Sequence, residues 1–382
     1  MNIQSKLPNV GTTIFSVMTN LANAHDAINL SQGFPDFDPD PALIQLVEKY
    51  MHKGFNQYAP MQGVLPLREK IAHKVKKLYN RTCDVENEIT VTTGATEALF
   101  AAITAVVRKG DEVIIIEPAY DSYGPVVELC GGRPVFVKTA YPDYAIDWGV
   151  VTDKISDSTR LIILNSPHNP TGCTLRPADI VELKNIIEHH DLHILSDEVY
   201  EHIVFDGIKH ESMSCHPELA QRSFVVGSFG KTYHATGWKT GYCIAPKPLT
   251  LEFRKIHQYL TFSVNTPVQM AYADFLDHGD QYLNLAAFYQ GKRDLFLSKL
   301  AHSRFTFVPC EGSYFQMLNY SQISDMPDVE FSRYLTVEHK IASIPPSLFY
   351  QDKDDHRVLR FCFAKRNKTI EEAAERLCAV GV

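Results

Sequence analysis

The spacing of apolar and polar positions changes character near residue 88. Short apolar, β-prone runs at 89–92, 111–116, 134–137, 161–164, 193–195 and 224–226 alternate with stretches at 94–108, 121–129 and 177–190 whose apolar positions recur every three or four residues. Strands alternating with helices imply right-handed crossovers and a mainly parallel sheet. One more short strand is expected at 241–245. Upstream, 41–52 carries Leu43, Leu46, Val47 and Tyr50 on one helical stripe, and 67–79 reads as a helix with a basic face. Residues 1–40 hold no long periodic element. Downstream the pattern is helical at 249–260, 267–278 and 281–300, the last long enough to link domains. It then mixes strands at 313–318 and 358–363 with helices. Thr369-Ile370-Glu371-Glu372 has the spacing of a capping box that opens the terminal helix. The expected architecture is α/β. A large domain over 41–280 holds a mainly parallel, seven-stranded-type sheet sandwiched by helices. A smaller α+β domain is built from 281–382 and the N-terminal segment 1–40.

Composition removes several classes of function. The chain has 382 residues and a formal net charge of −8, with no run of Lys or Arg, so no nucleic-acid partner is expected. No apolar stretch approaches the length of a membrane span, and the N-terminus lacks a basic-then-apolar signal pattern. Eight cysteines lie scattered, none in a Cys-x-x-Cys pair, which suits reduced thiols in a cytoplasm and argues against a zinc ribbon. His189-His190-Asp191-Leu192-His193 lies at a helix end, where polar residues are ordinary, so no metal site is expected.

Ligands of an open α/β sheet sit beyond the carboxyl ends of its strands. There the chain places Gly94-Ala95-Thr96 at a helix start, Tyr120 after the strand at 111–116, and Asn165-Ser166-Pro167-His168-Asn169-Pro170-Thr171-Gly172 after 161–164. Asp197-Glu198-Val199-Tyr200 follows 193–195, and Ser228-Phe229-Gly230-Lys231-Thr232 follows 224–226. Each alone has an ordinary structural reading as a helix start, core aromatic, turn Asn or N-cap. A P-loop reading of Gly230-Lys231-Thr232 fails. Val225 stands where that motif needs glycine, and 233–241 reads as loop where it needs a helix. The other reading makes Lys231 a Schiff-base nucleophile, its amine freed by burial and nearby cations.

Taken together the set fits one cofactor, pyridoxal 5′-phosphate. Lys231 forms the imine and Asp197 pairs with the ring nitrogen. Asn169 and Tyr200 donate to the ring oxygen and Tyr120 stacks on the ring face. The phosphate takes the amides at Ala95 and Thr96, the Ser228 hydroxyl and the charge of Lys239.

These motifs, with Arg360-Phe361-Cys362-Phe363-Ala364, make the chain similar to class I/II aminotransferases of the aspartate-aminotransferase-like fold (type I among pyridoxal-phosphate enzymes), from about 31 to 365. The resemblance implies that Arg360 clamps the substrate α-carboxylate, with Gly33 offering its amide and Asn169 alongside. It also implies that Tyr58 reaches the phosphate of a neighbouring subunit's cofactor, and so an obligate homodimer with shared sites. Many relatives carry Arg where Lys239 stands. Gly237-Trp238-Lys239, Thr261-Phe262-Ser263-Val264-Asn265-Thr266-Pro267 and Pro167-His168-Asn169-Pro170 resemble the branch of methionine and kynurenine/glutamine aminotransferases. The implied reaction passes the amino group of an apolar or aromatic L-amino acid, methionine foremost, to a 2-oxo acid. Phe15, Phe34, Tyr123 and Phe315 are candidate walls for its side chain. Two alternatives stay open: β-elimination from cysteine conjugates on the same fold, and a ligand-binding regulator built on a disarmed one. Against the second, Lys231, Asp197 and Arg360 are all kept.

Overall fold

The computed structural model describes residues 3–278 and 281–381. Its strands in chain order are β1 (Ile28–Asn29), β2 (Ile89–Thr92), β3 (Glu112–Glu117), β4 (Arg133–Lys138), β5 (Thr159–Asn165), β6 (His193–Asp197), β7 (Ser223–Ser228), β8 (Gly241–Ile244), β9 (Phe315–Asn319), β10 (Ile341–Ala342) and β11 (Val358–Cys362). Seven of them form one sheet in the order β2-β8-β7-β6-β5-β3-β4. From β7 to β4 every pairing is parallel. β8 runs antiparallel to both β7 and β2, so its first residue, Gly241, lies beside Ser228 and Thr92 at the edge where the parallel strands end.

The period-2 pleat sorts the inner strands onto two cores. Ile114, Ile116, Ile162, Leu164, Ile194 and Val225 face a cluster that includes Ile71, Leu183 and Ile186. Val113, Ile115, Leu161, Ile163, Leu195 and Val226 face another that includes Leu99, Val127 and Phe253. A third core surrounds the antiparallel pair β9–β11, with Phe296, Leu335 and Leu377 from nearby helices. Val199, Tyr200, Ile203 and Phe205 belong to that third core. The segment that leaves β6 therefore crosses from the sheet to the C-terminal part of the chain, directly after Asp197.

Most expected elements are present, with β3, β5, β6 and β7 each extended at one or both ends. Four expectations need correction. Residues 1–40 contain the helix Ile14–Ala24, capped by Thr13, whose hydroxyl accepts from the Ser16 amide. The stretch 267–278 divides into an α-helix over Thr266–Phe275 and a 3₁₀ turn, and 281–300 into a 3₁₀ turn and the α-helix Leu285–Leu300. Residue 280, where the large domain was expected to end, lies outside the described residues. The helices Trp148–Asp153 and Asp328–Glu338 were not foreseen. Finally, the terminal helix starts at Asn367, ahead of the expected capping box. Thr369 is the third residue inside that helix, and its hydroxyl donates to Asp36 at 2.7 Å. Among the described residues no helix is long and apolar enough to cross a membrane.

Candidate active site

Lys231 sits on the one-turn helix Phe229–Thr232 rather than in an open turn; the Ser228 hydroxyl accepts from its amide at 3.4 Å. The helix stops there, and 233–241 carries only a short 3₁₀ turn, so the context still excludes a P-loop. The Lys231 ammonium donates to the Gly33 carbonyl and to the Tyr314 hydroxyl, each at 3.0 Å. The Tyr314 hydroxyl in turn donates to the Gly33 carbonyl at 2.5 Å. Gly33 is close-packed: an added Cβ would fall 2.7 Å from the Phe315 ring. Its carbonyl engages Lys231, which is a separate contact from the one expected of its amide with a substrate carboxylate. Burial pulls the Lys231 amine down to about 8; Arg360 and Lys239 act in the same direction, while Cys362 and Asp197 oppose it.

Gly94, Ala95, Thr96, Tyr120, Asn165, Asn169, Asp197, Tyr200, Ser228, Lys231 and Lys239 line one cavity of ≈ 210 Å³ at the carboxyl edge of the sheet. A larger cavity of ≈ 490 Å³ lies behind it and shares Asn165. There Arg176 is paired with Glu311, Asp179 accepts from the Trp148 indole at 2.8 Å, and Asp143 also lines the wall. The smaller cavity is selected by the strand-end groups it gathers, Lys231, Asp197 and Lys239.

Asp197 is buried at the end of β6. It accepts from the Tyr123 hydroxyl at 2.7 Å and, weakly, from the Val199 amide at 3.4 Å, with no cation within ion-pair distance among the described residues. Burial pushes its carboxyl up to about 6, against the pull of those hydrogen bonds and of Lys231. Tyr123 is thus a donor to Asp197, which corrects its expected place as an apolar wall. Asn165 holds the neighbouring backbone: its amide donates to the Asp197 carbonyl at 2.9 Å, and its side-chain oxygen accepts from the Asn169 amide at 2.8 Å.

At the other end, Lys239 has a left-handed backbone (φ 51°) and its side chain lies over Gly94. A Cβ on Gly94 would come 3.3 Å from the Lys239 Cε and Nζ. Gly94 opens a 13-residue helix. Its amides and the Lys239 ammonium, which is 3.5 Å from the Thr96 hydroxyl, therefore present positive ends to one point. Gly241 has no room for a side chain either, since a Cβ there would meet the Ala95 amide nitrogen at 2.9 Å. The result is an anion cradle lined by backbone.

Arg360, at 0% exposure, stands behind Asn169, to whose side-chain oxygen it donates at 2.7 Å. A second donor goes to the Ser31 carbonyl at 2.6 Å. Its Nε has no partner, and among the described residues no carboxylate lies within ion-pair distance. Its guanidinium lies 4.0 Å from the centre of the Phe315 ring, with Phe15 at 5.4 Å and Phe349 at 5.8 Å. Burial lowers its proton affinity to about 10, still far above neutrality. Phe34, by contrast, is half exposed, with the Lys365 ammonium over its ring. Tyr200 is buried, edge-on to Tyr314 with ring centres 5.0 Å apart, and Tyr120 is edge-on to Tyr123 at 5.7 Å. Tyr58 stands apart from the cavity, 84% exposed.

The donor set suits pyridoxal phosphate at each end. A buried carboxylate lacking a cation fits the ring nitrogen, an unmatched positive cradle fits the phosphate, and an amine of lowered proton affinity lies between them. Sequence reasoning missed Tyr314 and the positioning part of Asn165. Tyr314 reaches Gly33 across 281 positions and has no local signature.

The sequence model of the family "Aminotransferase class I and II" matches residues 25–377. The methionine aminotransferase of Escherichia coli K12 is 52% identical over 98% of this chain and 97% of its own length. A kynurenine–oxoglutarate transaminase of Dictyostelium discoideum is 35% identical over 96% of this chain and 94% of its own. The crystal structure of the methionine aminotransferase YbdL from Escherichia coli superposes with a TM-score of 0.97 at 51% identity, covering 99% of both chains. The N-succinyldiaminopimelate aminotransferase of Mycobacterium tuberculosis superposes at 0.95 with 35% identity, over 99% of this chain and 100% of its own. With the site geometry, these matches place the protein among the class I and II aminotransferases, enzymes that work with pyridoxal phosphate on amino acids and 2-oxo acids.

Proposed function

We propose that this aminotransferase takes its amino group from an apolar or aromatic L-amino acid, methionine before others, and gives it to a 2-oxo acid. The observation that carries the reading is Arg360. A fully buried guanidinium with an unpartnered Nε and, among the described residues, no carboxylate within ion-pair distance, Asp121 acting on it only from further off, is costly unless an anion completes it. The α-carboxylate of an amino acid is such an anion. Asn169 joins Arg360 to the cavity of Lys231 and so fixes where the rest of the substrate lies.

Asp197, Asn169, Tyr200 and Tyr120 hold the cofactor ring, and Ser228, Lys239 and the amides of Ala95 and Thr96 hold its phosphate. When bound, pyridoxal phosphate supplies an aldehyde carbon and a protonated ring that withdraws electrons from the substrate Cα. Lys231 Nζ would take the Cα proton as general base and deliver it, as acid, to the former aldehyde carbon of the cofactor. The Gly33 carbonyl and Tyr314 hydroxyl orient that nitrogen. The crossed rings of Tyr200, Tyr314 and Phe315 exclude water from one side of it.

Phe15, Phe315 and Phe349 around Arg360 favour an apolar side chain, and a thioether is adaptable against aromatic rings. The Lys365 ammonium nearby donates to the Phe34 carbonyl at 2.8 Å and lies over the Phe34 ring. The high identity to the Escherichia coli enzyme supports methionine. Exposed Tyr58, edge-on to Phe262 at 5.5 Å, supports a homodimer in which Tyr58 serves the partner's site. The eight cysteines are all free, which agrees with work in the cytoplasm.

A donor panel of Met, Phe, Tyr, kynurenine, Gln and Asp, followed by the cofactor's absorbance, tests the substrate reading. Methionine should exceed aspartate in kcat/KM by about 100-fold, the cost of an unpaired buried carboxylate; equal rates would contradict it. Arg360→Lys keeps the charge and loses the fork. It should lower kcat/KM by about 100-fold, mostly through KM, with cofactor absorbance unchanged. The Lys231 amine reacts in its neutral form, and burial sets its proton affinity at about 8. The rate at which cofactor-free protein captures pyridoxal phosphate should therefore rise with pH through about 8 and level off above it. A rate that keeps rising to the ordinary lysine range contradicts that placement.

A further inference from the structure

Beneath the site, on the sheet face where Tyr242 packs with Ile71 and Val225, lies a polar cluster that takes no direct part in the chemistry above. The Lys74 ammonium, 6% exposed at its side chain, donates to Glu201 at 2.5 Å and also to the Tyr242 hydroxyl. Tyr242 donates to the same Glu201 oxygen at 2.6 Å, and the Tyr79 hydroxyl donates to the other. Burial works against the Glu201 charge, yet Lys74 and the Tyr242 hydroxyl hold the carboxyl well below the ordinary range. His202, 3.4 Å from Lys74, is itself held neutral, its proton affinity lowered by burial to about 3.

Two members, Glu201 and Tyr242, sit next to residues of the cofactor site. Glu201 follows Tyr200 in the segment that begins at Asp197. Tyr242 follows Gly241, the residue packed on the Ala95 amide. The Tyr242 ring also lies against Gly227, where a Cβ would fall 2.1 Å from its Cζ, and Gly227 precedes Ser228. Lys74 and Tyr79 come from the helix Leu65–Tyr79, which contributes nothing to the cavity. The cluster therefore joins three pieces of backbone: the one carrying Asp197 and Tyr200, the one carrying Ser228 and Lys231, and the one closing the phosphate cradle.

We propose that the buried Lys74–Glu201–Tyr242 cluster is a positioning device that fixes the ring-binding and phosphate-binding halves of the site relative to each other. A buried ion pair adds little net stability over an apolar replacement, so its use here is registration rather than stability. Local hydrogen bonds cannot set this register, because Lys74 and Glu201 are 127 positions apart.

The inference rests on the assignment of Asp197, Tyr200 and Ser228 to the cofactor. The test separates position from stability. Removing Glu201 alone leaves Lys74 buried and unpaired and risks unfolding the protein. The triple variant Lys74→Met, Glu201→Leu, Tyr242→Phe removes the charges and the bridging hydroxyl together. We expect it to keep a melting midpoint near that of the wild type. Its pyridoxal phosphate should bind about tenfold or more weakly, and kcat should fall with the KM for methionine little changed, as for misplaced groups. Tyr242→Phe alone, which leaves the ion pair and the ring in place, should shift the cofactor dissociation constant in the same direction by less. Wild-type cofactor affinity and kcat in both variants would overturn the proposal. If the wild type itself failed to bind pyridoxal phosphate, the cofactor assignment would fall instead.

Discussion

The structure depends on a set of charges that its own fold leaves unmatched. Asp197 is a buried carboxylate without a cation, and Arg360 is a buried guanidinium without a carboxylate. Lys239 places an ammonium at the positive end of a helix. Elsewhere some buried charges are paired, as in Lys74–Glu201, and others are met by neutral partners, as Asp328 is by the Ser347 amide and hydroxyl. Uncompensated burial costs several kcal/mol per ion, so buried Asp197 and Arg360 call for ligand groups of opposite charge, and exposed Lys239 adds a positive site at the helix start. A protonated ring nitrogen, a carboxylate and a phosphate supply them. Lys231 stands among them with an amine whose proton affinity the same burial has lowered.

The fold delivers these groups by two means. The parallel part of the sheet ends β3, β5, β6 and β7 on one edge, and antiparallel β8 returns its first residue to that edge. Arg360 comes from β11 in the other core, and its donors reach Asn169 and the Ser31 carbonyl. The segment after Asp197 spans both cores, so the distance between cofactor and carboxylate sites follows from how the two cores pack. The cluster around Glu201 is placed to hold that segment from below.

Much of this was legible along the chain because each cavity residue directly follows a β-prone run. Ala95, Tyr120, Asn169, Asp197 and Ser228 are strand-end residues, and the alternation of strands with helices already put strand ends together. What escaped lacks a local pattern. Tyr314 meets Lys231 and Gly33 only in three dimensions. Tyr123 read as one aromatic among many until its hydroxyl was found on Asp197. Ile14, Val17, Met18 and Leu21 carry helical spacing with Ser16, Thr19 and Asn20 on the other face, so Ile14–Ala24 was legible, its eleven residues falling short of a long periodic element. Thr369 had the right spacing for a cap, but the helix starts two residues earlier, where the Arg366 amide donates to distant Asp36. For Tyr314 and Tyr123 the deciding contact lies far away in sequence.

The most direct check of the central claim is to reduce the cofactor-loaded protein with borohydride, digest it and locate the modified residue by mass spectrometry. The account predicts a single pyridoxyl group on Lys231. A label on another lysine, or protein that takes up no cofactor, would contradict it.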